Sequence, residues 1–284
     1  MNYRTPLQAG VKKNCGYNVS SCLLGFGADL NHQDVAGRTP LHGFFNESAR
    51  TIIEFHQEDL DNTTQDSRGM NIAHCVSRSK SSLPADLFRC CRGNISSLVI
   101  ADEEGKTALH FACQRGNLEL LEHFLNNEYT TISRPDWRGR TLMHYATESS
   151  RSVQTINMLE CRGFDARAVD HQGRTVLHHA ASAGSVVAVE KLIKLGAAED
   201  LNALDNESRT PLQVAALCGR KAVVELLRPL CDDTQVSTLL REQVTMGHRG
   251  RRKNLKIRLH LSAFVSALLG FGLLVTSLIL HFMY

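Results

Sequence analysis

The sequence contains no Cys-x-x-Cys pair, no Gly-x-Ser-x-Gly elbow, no Gly-x-x-x-x-Gly-Lys phosphate loop, no His-Glu-x-x-His and no protein-kinase signature. Without these patterns there is no ready nucleophile, nucleotide cradle or zinc-protease centre. No enzyme activity, cofactor or metal is therefore expected. Aromatic residues are scarce, at 6% with a single Trp, too few and too scattered for a stacking platform on single-stranded nucleic acid. An excess of one charge sign is also missing. Six of the 32 Lys/Arg and none of the 29 Asp/Glu fall after residue 247, so residues 1–247 hold 26 basic against 29 acidic side chains. That balance does not make a nucleic-acid surface. The N-terminus, Met1-Asn2-Tyr3-Arg4-Thr5-Pro6, has no apolar run, and no signal peptide is expected. The nine cysteines lack paired spacing, with only Cys90 and Cys91 adjacent, and read as reduced, mostly buried thiols on the cytosolic side of a membrane.

What the sequence has in abundance is self-similarity. Thr5-Pro6-Leu7-Gln8 returns as Thr39-Pro40-Leu41-His42, Asn71-Ile72-Ala73-His74 and Thr107-Ala108-Leu109-His110. It returns again as Thr141-Leu142-Met143-His144, Thr175-Val176-Leu177-His178 and Thr210-Pro211-Leu212-Gln213. The steps are 34, 32, 36, 34, 34 and 35 residues. An Asp-x-x-Gly precedes the tetrapeptide at residues 66–69, 102–105, 136–139 and 170–173. Each part has a physical use. Thr caps a helix by accepting a bond from an orphan first-turn N–H. Pro next to it has no N–H to lose. The His or Gln three residues on reaches back in the manner of a capping box. The Gly supplies a tight turn. Apolar pairs Leu120/Leu121, Leu192/Ile193 and Leu226/Leu227 mark a second helix per copy, and Gly116, Gly184 and Gly219 punctuate the turn between helices.

Seven registered copies over residues 3 to 230 resemble the ankyrin-repeat family, whose period is about 33 residues and whose signature is T-P-L-H-x-A. The resemblance implies an all-α solenoid of helix-turn-helix units with hairpin-like fingers, in which each repeat buries its apolar face on its neighbours. Leu177 and Ala180 are then expected in the inter-repeat core. The third copy departs most: Asn71-Ile72-Ala73-His74 lacks both Thr and Pro, and Ser79-Lys80-Ser81-Ser82-Leu83-Pro84 is polar and Pro-broken. The first copy starts almost at Met1, so either the array frays there or an upstream part is missing.

The five repeated His (His42, His74, His110, His144, His178) are explained by their register rather than by catalysis or metal binding. His178 and His179 would not converge on a metal, because adjacent helix positions point about 100° apart. The recurring arginines Arg38, Arg140, Arg174 and Arg209 read as solvated or intra-array charges. The resemblance implies a protein-binding face formed by the first helices and the finger tips. Those tips are Val35-Ala36, Ser67-Arg68, Glu103-Glu104, Trp137-Arg138, His171-Gln172 and Asn206-Glu207. Repeats four to six match best, so the candidate partner-binding residues are Glu103, Glu104, Trp137, Arg138, His171 and Gln172. Trp137 is either an interface anchor or a residue lying flat on Arg134 and Pro135 of its own repeat.

Residues 261–280 contain no charged side chain, and twenty helical residues span about 30 Å, the thickness of a bilayer's hydrocarbon core. A buried soluble helix is the plainer alternative. Arg249, Arg251, Arg252, Lys253, Lys256 and Arg258 come just before; they suit the cytosolic flank of a membrane helix, with a nuclear localisation signal as the rival reading. The expected organisation is an array over residues 1–230, a linker over 231–258 ending in the basic segment, a transmembrane helix over 259–280 and a short tail over 281–284. Such a chain looks tail-anchored, in the endoplasmic reticulum before the mitochondrial outer membrane, with its repeats in the cytosol. Ser262, Ser266 and Gly270 fall at i, i+4 and i+8, a spacing that would let two such helices pair as a homodimer; small residues are also simply common in membrane helices. Two functional readings follow: a membrane-tethered scaffold for a protein partner, or the C-terminal part of a larger protein whose effector domain lies upstream.

Overall fold

The computed structural model describes residues 4–42, 52, 60–78, 96–126 and 134–231. All of them lie in the first of two units, Met1–Asp232; the second, Asp233–Tyr284, falls outside the described residues. The expected linker after its first residue, the basic cluster from Arg249 to Arg258, the transmembrane segment and the stripe Ser262, Ser266, Gly270 therefore also lie outside them. No helix among the described residues is long and apolar enough to cross a membrane.

The described helices are α1 (Pro6–Lys12), α2 (Tyr17–Gly25), α3 (Ile72–Arg78), α4 (Ser96–Val99), α5 (Ala108–Arg115) and α6 (Leu118–Asn126). They continue as α7 (Leu142–Ala146), α8 (Ser152–Glu160), α9 (Val176–Ala183), α10 (Val186–Lys194), α11 (Pro211–Leu217) and α12 (Lys221–Leu227). Short 3₁₀ turns follow α10 at Ala197–Asn202 and α12 at Arg228–Leu230. The first helices pack in succession, α3 on α5, α5 on α7, α7 on α9 and α9 on α11. The second helices make a parallel series, α6 on α8, α8 on α10 and α10 on α12. The fold is thus an all-helical two-layer solenoid, and among the described residues the only β-like pairing is the isolated bridge between Val169 and Thr175.

The core follows the repeat register. Leu7, Leu41, Ala73, Leu109, Met143, Leu177 and Leu212, the third positions of the tetrapeptides, are all buried, and Ala180 is fully so. From the second helices, Leu120, Leu121, Ile156, Leu159, Val189, Leu192, Val223 and Leu227 fill the space behind them. Burial of each such side chain removes apolar surface from water worth ~1.5–3 kcal/mol. Part of it comes from the two helices of one repeat packing together, and the rest only from stacking on a neighbour.

The capping expected of the tetrapeptide is present, and it does more than end a helix. In the second repeat the Thr39 N–H donates to His42 Nδ1 (3.1 Å) and the Thr39 hydroxyl lies 2.7 Å from the same nitrogen. An Nδ1 that accepts a backbone N–H is unprotonated, so the proton sits on Nε2. That Nε2–H donates to the Met70 carbonyl of the next repeat at 2.9 Å. His74 repeats this toward the Lys106 carbonyl, His144 toward Arg174 and His178 toward Arg209. In His110 the same nitrogen faces the Arg140 carbonyl but completes no hydrogen bond. His74, His144 and His178 therefore each close their own helix start and tie one repeat to the next, and His42 makes the same tie. Gln8 does the same with an amide: Oε1 accepts the Thr5 N–H (2.9 Å) and Nε2 donates to the Arg38 carbonyl (2.8 Å). The third repeat loses less than its sequence suggests. Asn71 replaces the Thr, with Oδ1 accepting the His74 N–H at 3.2 Å. The Pro-broken stretch that follows it lies outside the described residues.

Candidate functional site: the row of finger tips

Each finger is built around its Asp. In the fifth repeat Asp136 Oδ1 accepts the backbone N–H groups of Arg138 (2.9 Å) and Arg140 (2.8 Å), closing the turn that Asp-x-x-Gly encodes. The pattern recurs at Asp34, Asp66, Asp102, Asp170 and Asp205. The second carboxylate oxygen is used differently from finger to finger. Asp34, Asp136 and Asp205 pair with Arg38, Arg140 and Arg209 four residues on. Arg174 instead crosses to the next repeat, 3.5 Å from Asp205. The recurring arginines are thus intra-array charges.

Neighbouring fingers are joined by a ladder of backbone bonds. The first tip residue of each finger donates its N–H to the carbonyl of the second tip residue of the finger before. The bonds are Ser67 to Ala36 (2.9 Å), Glu103 to Arg68 (3.0 Å), Trp137 to Glu104 (3.1 Å), His171 to Arg138 (2.8 Å) and Asn206 to Gln172 (2.9 Å). This ladder explains the finger glycines better than the turn alone does. Gly105 and Gly139 have φ of +78° and +77°, where a side chain is strained. A Cβ at Gly105 would also lie 2.7 Å from the Trp137 nitrogen, and one at Gly139 2.9 Å from the His171 nitrogen.

The six candidate residues, Glu103, Glu104, Trp137, Arg138, His171 and Gln172, are brought together as consecutive steps of this row, and all are exposed. Trp137 is 69% exposed, and its indole edge rests over Gly105 of the preceding finger. His171 Nδ1 lies 3.1 Å from the Trp137 carbonyl, so part of its polar capacity is spent on the row itself. Glu104 forms an ion pair with Lys106, which holds its carboxyl below the usual range. The tips therefore present one large aromatic face between an acidic step and a mixed step.

Behind the tips runs a second set of contacts that the repeat pattern does not announce. The residue after each capping His is Phe111, Tyr145 or His179 in repeats four to six. Its ring meets the capping His of the repeat before, edge to face: His74 with Phe111 at 5.9 Å, His110 with Tyr145 at 5.1 Å, His144 with His179 at 4.8 Å. Tyr145 also donates its hydroxyl to Asp136 Oδ2 (2.7 Å), and His179 Nε2 lies 2.9 Å from Asp170 Oδ2. The Arg140 guanidinium sits 4.8 Å over the Tyr145 ring. Burial alone would raise the Asp136 carboxyl, but the bonds from Tyr145 and Arg140 outweigh it and hold it below the ordinary range. No motif flags the position after the His; it is visible only when the repeats are aligned and the ring-bearing copies noticed.

His178 and His179 take different partners, Thr175 and Arg209 for one and Asp170 for the other. No group of three or more His, Cys, Asp or Glu that could hold a metal occurs among the described residues. Burial lowers His42, His74 and His178, and takes His110 and His144 down to about 4, the charge of His179 adding to the effect at His144. Burial raises the Cys113 thiol far out of the reactive range.

Comparison with known proteins agrees with this geometry. A family model of ankyrin repeats (three copies) matches residues 86–167 and 150–237. Rabankyrin-5 of Mus musculus is 26% identical over 133 residues, 46% of this chain and 11% of the relative. Rabankyrin-5 of Homo sapiens is 29% identical over 118 residues, 41% of this chain and 10% of the relative. The chain thus spans only about a tenth of the length of these curated relatives. The crystal structure of the ankyrin repeat domain of Bcl-3, a unique member of the IkappaB protein family, superposes with a TM-score of 0.55 at 21% identity, over 85% of this chain and 100% of that one. With matching family segments over more than half of its length, capped helix pairs in two layers and Asp-centred fingers joined by a backbone ladder, the chain belongs to the ankyrin-repeat family.

Proposed function

We propose that this protein is a non-enzymatic scaffold that docks a protein partner on the finger tips of repeats four to six and is tethered to a membrane by its C-terminal hydrophobic stretch. The observation that carries the docking reading is the exposure of Trp137, 69%, in the middle of a row that backbone bonds hold rigid. A large aromatic left in water gains the molecule nothing, whereas at an interface Trp and Arg are the residues that anchor a partner. Its neighbours Glu103, Glu104, Arg138, His171 and Gln172 supply the polar rim around such an anchor. A tip row already ordered in the free protein loses little entropy on binding. Trp137→Ala should weaken the strongest partner by about 2 kcal/mol or more while the melting transition stays where it was. If the variant melts early and binding falls only in proportion, Trp137 is a packing residue and the docking reading is lost.

The tether rests on the sequence of residues 259–280 and on the basic flank of Arg249, Arg251, Arg252, Lys253, Lys256 and Arg258. That flank favours the cytosolic side of a membrane, so the repeats are proposed to face the cytosol, at the endoplasmic reticulum. Pairing of two chains through Ser262, Ser266 and Gly270 belongs to the same proposal. Deleting residues 259–284 should move the protein to the soluble fraction. Persistent resistance to carbonate extraction would show that the anchor lies elsewhere.

A further inference from the structure

The third finger breaks the electrostatic pattern of the others. Where the second, fourth, fifth, sixth and seventh fingers carry Arg38, Lys106, Arg140, Arg174 and Arg209 four residues after the Asp, the third carries Met70. Those five cations are each paired with a carboxylate. At the third finger, two cations sit close by that make no ion pair among the described residues. Arg68 is the exposed second tip residue, and among the described residues its guanidinium makes no ion pair. Arg78 is the exposed last residue of α3, and its guanidinium lies 3.9 Å from the Met70 sulfur. Arg68 and Arg78 line one pocket of about 320 Å³ between the second finger, the third finger and α3.

The remaining walls decide what that pocket suits. Arg38 also faces it but is neutralised by Asp34 at 2.9 Å. Among the described residues of the lining the one carboxylate is Asp66, whose Oδ1 accepts the N–H groups of Arg68 and Met70. Met70 and Cys75 add an apolar wall. Guanidinium groups stay charged at any working pH, and two of them against the single Asp66 carboxylate leave the described lining with a net positive charge that an entering anion would balance. A phosphate ester carries about −1.5 to −2 charge and three strong acceptor oxygens, which matches two forked donors better than the single charge of a carboxylate does. A water's share of liquid volume is about 30 Å³, so the cavity has room for a whole phosphorylated side chain, its aliphatic part on Met70 and Cys75.

We propose that the pocket between the second and third fingers binds a phosphorylated serine or threonine side chain of a protein partner through Arg68 and Arg78. This deepens the scaffold reading, resting on it for the kind of ligand, but it uses a separate part of the array. The test uses the full chain and fluorescence polarisation with degenerate nonamer peptide libraries centred on phosphoserine, serine or glutamate. The phosphoserine library should bind, the serine library should not, and the glutamate library should bind more weakly. Each guanidinium supplies charge-assisted bonds to the phosphate, so Arg68→Gln should cost on the order of tenfold in affinity and Arg68→Gln/Arg78→Gln should abolish binding. Arg68 is at an exposed tip, so the single variant keeps the test valid even if the double variant loses helix. Trp137→Ala should leave phosphopeptide binding unchanged, so this proposal and the finger-tip reading fail separately. Equal binding of the phosphoserine and serine libraries, unchanged affinity in Arg68→Gln, or a preference for glutamate each overturns the proposal. So does capture of phosphoinositide vesicles with no binding of phosphopeptide.

Discussion

The buried capping histidines make this array sensitive to mild acid, and the structure sets the size of the effect. In His144 the Nδ1 accepts the Thr141 N–H at 3.0 Å, and the Nε2 lies 3.3 Å from the Arg174 carbonyl. Adding a proton to Nδ1 turns that acceptor into a donor facing another donor. It also places a charge in a site that burial and His179 already make unfavourable, which is why His144 is held down to about 4. His110, more deeply buried, is held there too. The folded-state value is depressed below the unfolded one. As pH falls below about 6.5 the unfolded chain takes up a proton that the folded chain refuses, so stability falls from about pH 6.5 down to about pH 4 and levels off below. Between pH 7 and pH 5, a shift from 6.5 to about 4 costs roughly 2 kcal/mol per histidine, so roughly 4 kcal/mol for the pair. The finger carboxylates do not confuse this window. Asp34, Asp136, Asp170 and Asp205 are lowered from 3.8, so their contribution is intact above that value and is lost only in stronger acid. The molecule supplies its own control, since Gln8 makes the same two-way tie as a neutral amide. His110→Gln/His144→Gln should therefore start less stable at pH 7, through loss of two packed rings, but lose roughly 4 kcal/mol less than the parent between pH 7 and pH 5. Urea midpoints followed by circular dichroism at the two pH values measure the difference. Equal losses in parent and variant would refute the reasoning.

Two further outcomes follow from the packing and the ladder. Leu177→Ala, at a buried position of α9, should cost ~2–5 kcal/mol in chemical denaturation and open the neighbouring repeats with it; a loss below about 0.5 kcal/mol, the surface-substitution range, would mean that the helix face is misassigned. Gly139→Ala should cost distinctly more than Gly163→Ala: both have φ near +80°, at +77° and +81°, but only the first meets a neighbouring backbone. Matched melting temperatures for the two variants would show that the finger ladder does not constrain Gly139.

The readings of sequence that held were the ones that rest on local, periodic chemistry. The Thr-x-x-His caps, the Asp-x-x-Gly turns, the apolar pairs of the second helices and the αL glycines Gly116 and Gly184 that end α5 and α9 each involve residues within a few positions of one another. Their repetition at a fixed step is enough to name the fold. Placing Glu103, Glu104, Trp137, Arg138, His171 and Gln172 at adjacent tips was legible for the same reason: a constant repeat length puts equivalent positions side by side. The substitution of Asn71 for Thr looked like a defect because sequence shows a missing residue type, whereas the cap needs only an oxygen at the right place.

By itself, then, the sequence determined the register of the described helix pairs and the set of residues at the tips, because these follow from backbone geometry inside one repeat. Only the tertiary structure decided how the copies are joined. The Nε2 bonds from His42, His74, His144 and His178, the tip-to-tip N–H ladder, the reach of Arg174 to Asp205 and the T-shaped ring pairs all link residues about thirty positions apart. Their geometry depends on the rotation and offset of one repeat against the next. The repeat period does not encode these; close packing of whole helix pairs sets them. The same holds for Arg68 and Arg78, ten residues apart, which come to share a cavity only because a Met stands where the other fingers place a cation and α3 folds back beside its own finger.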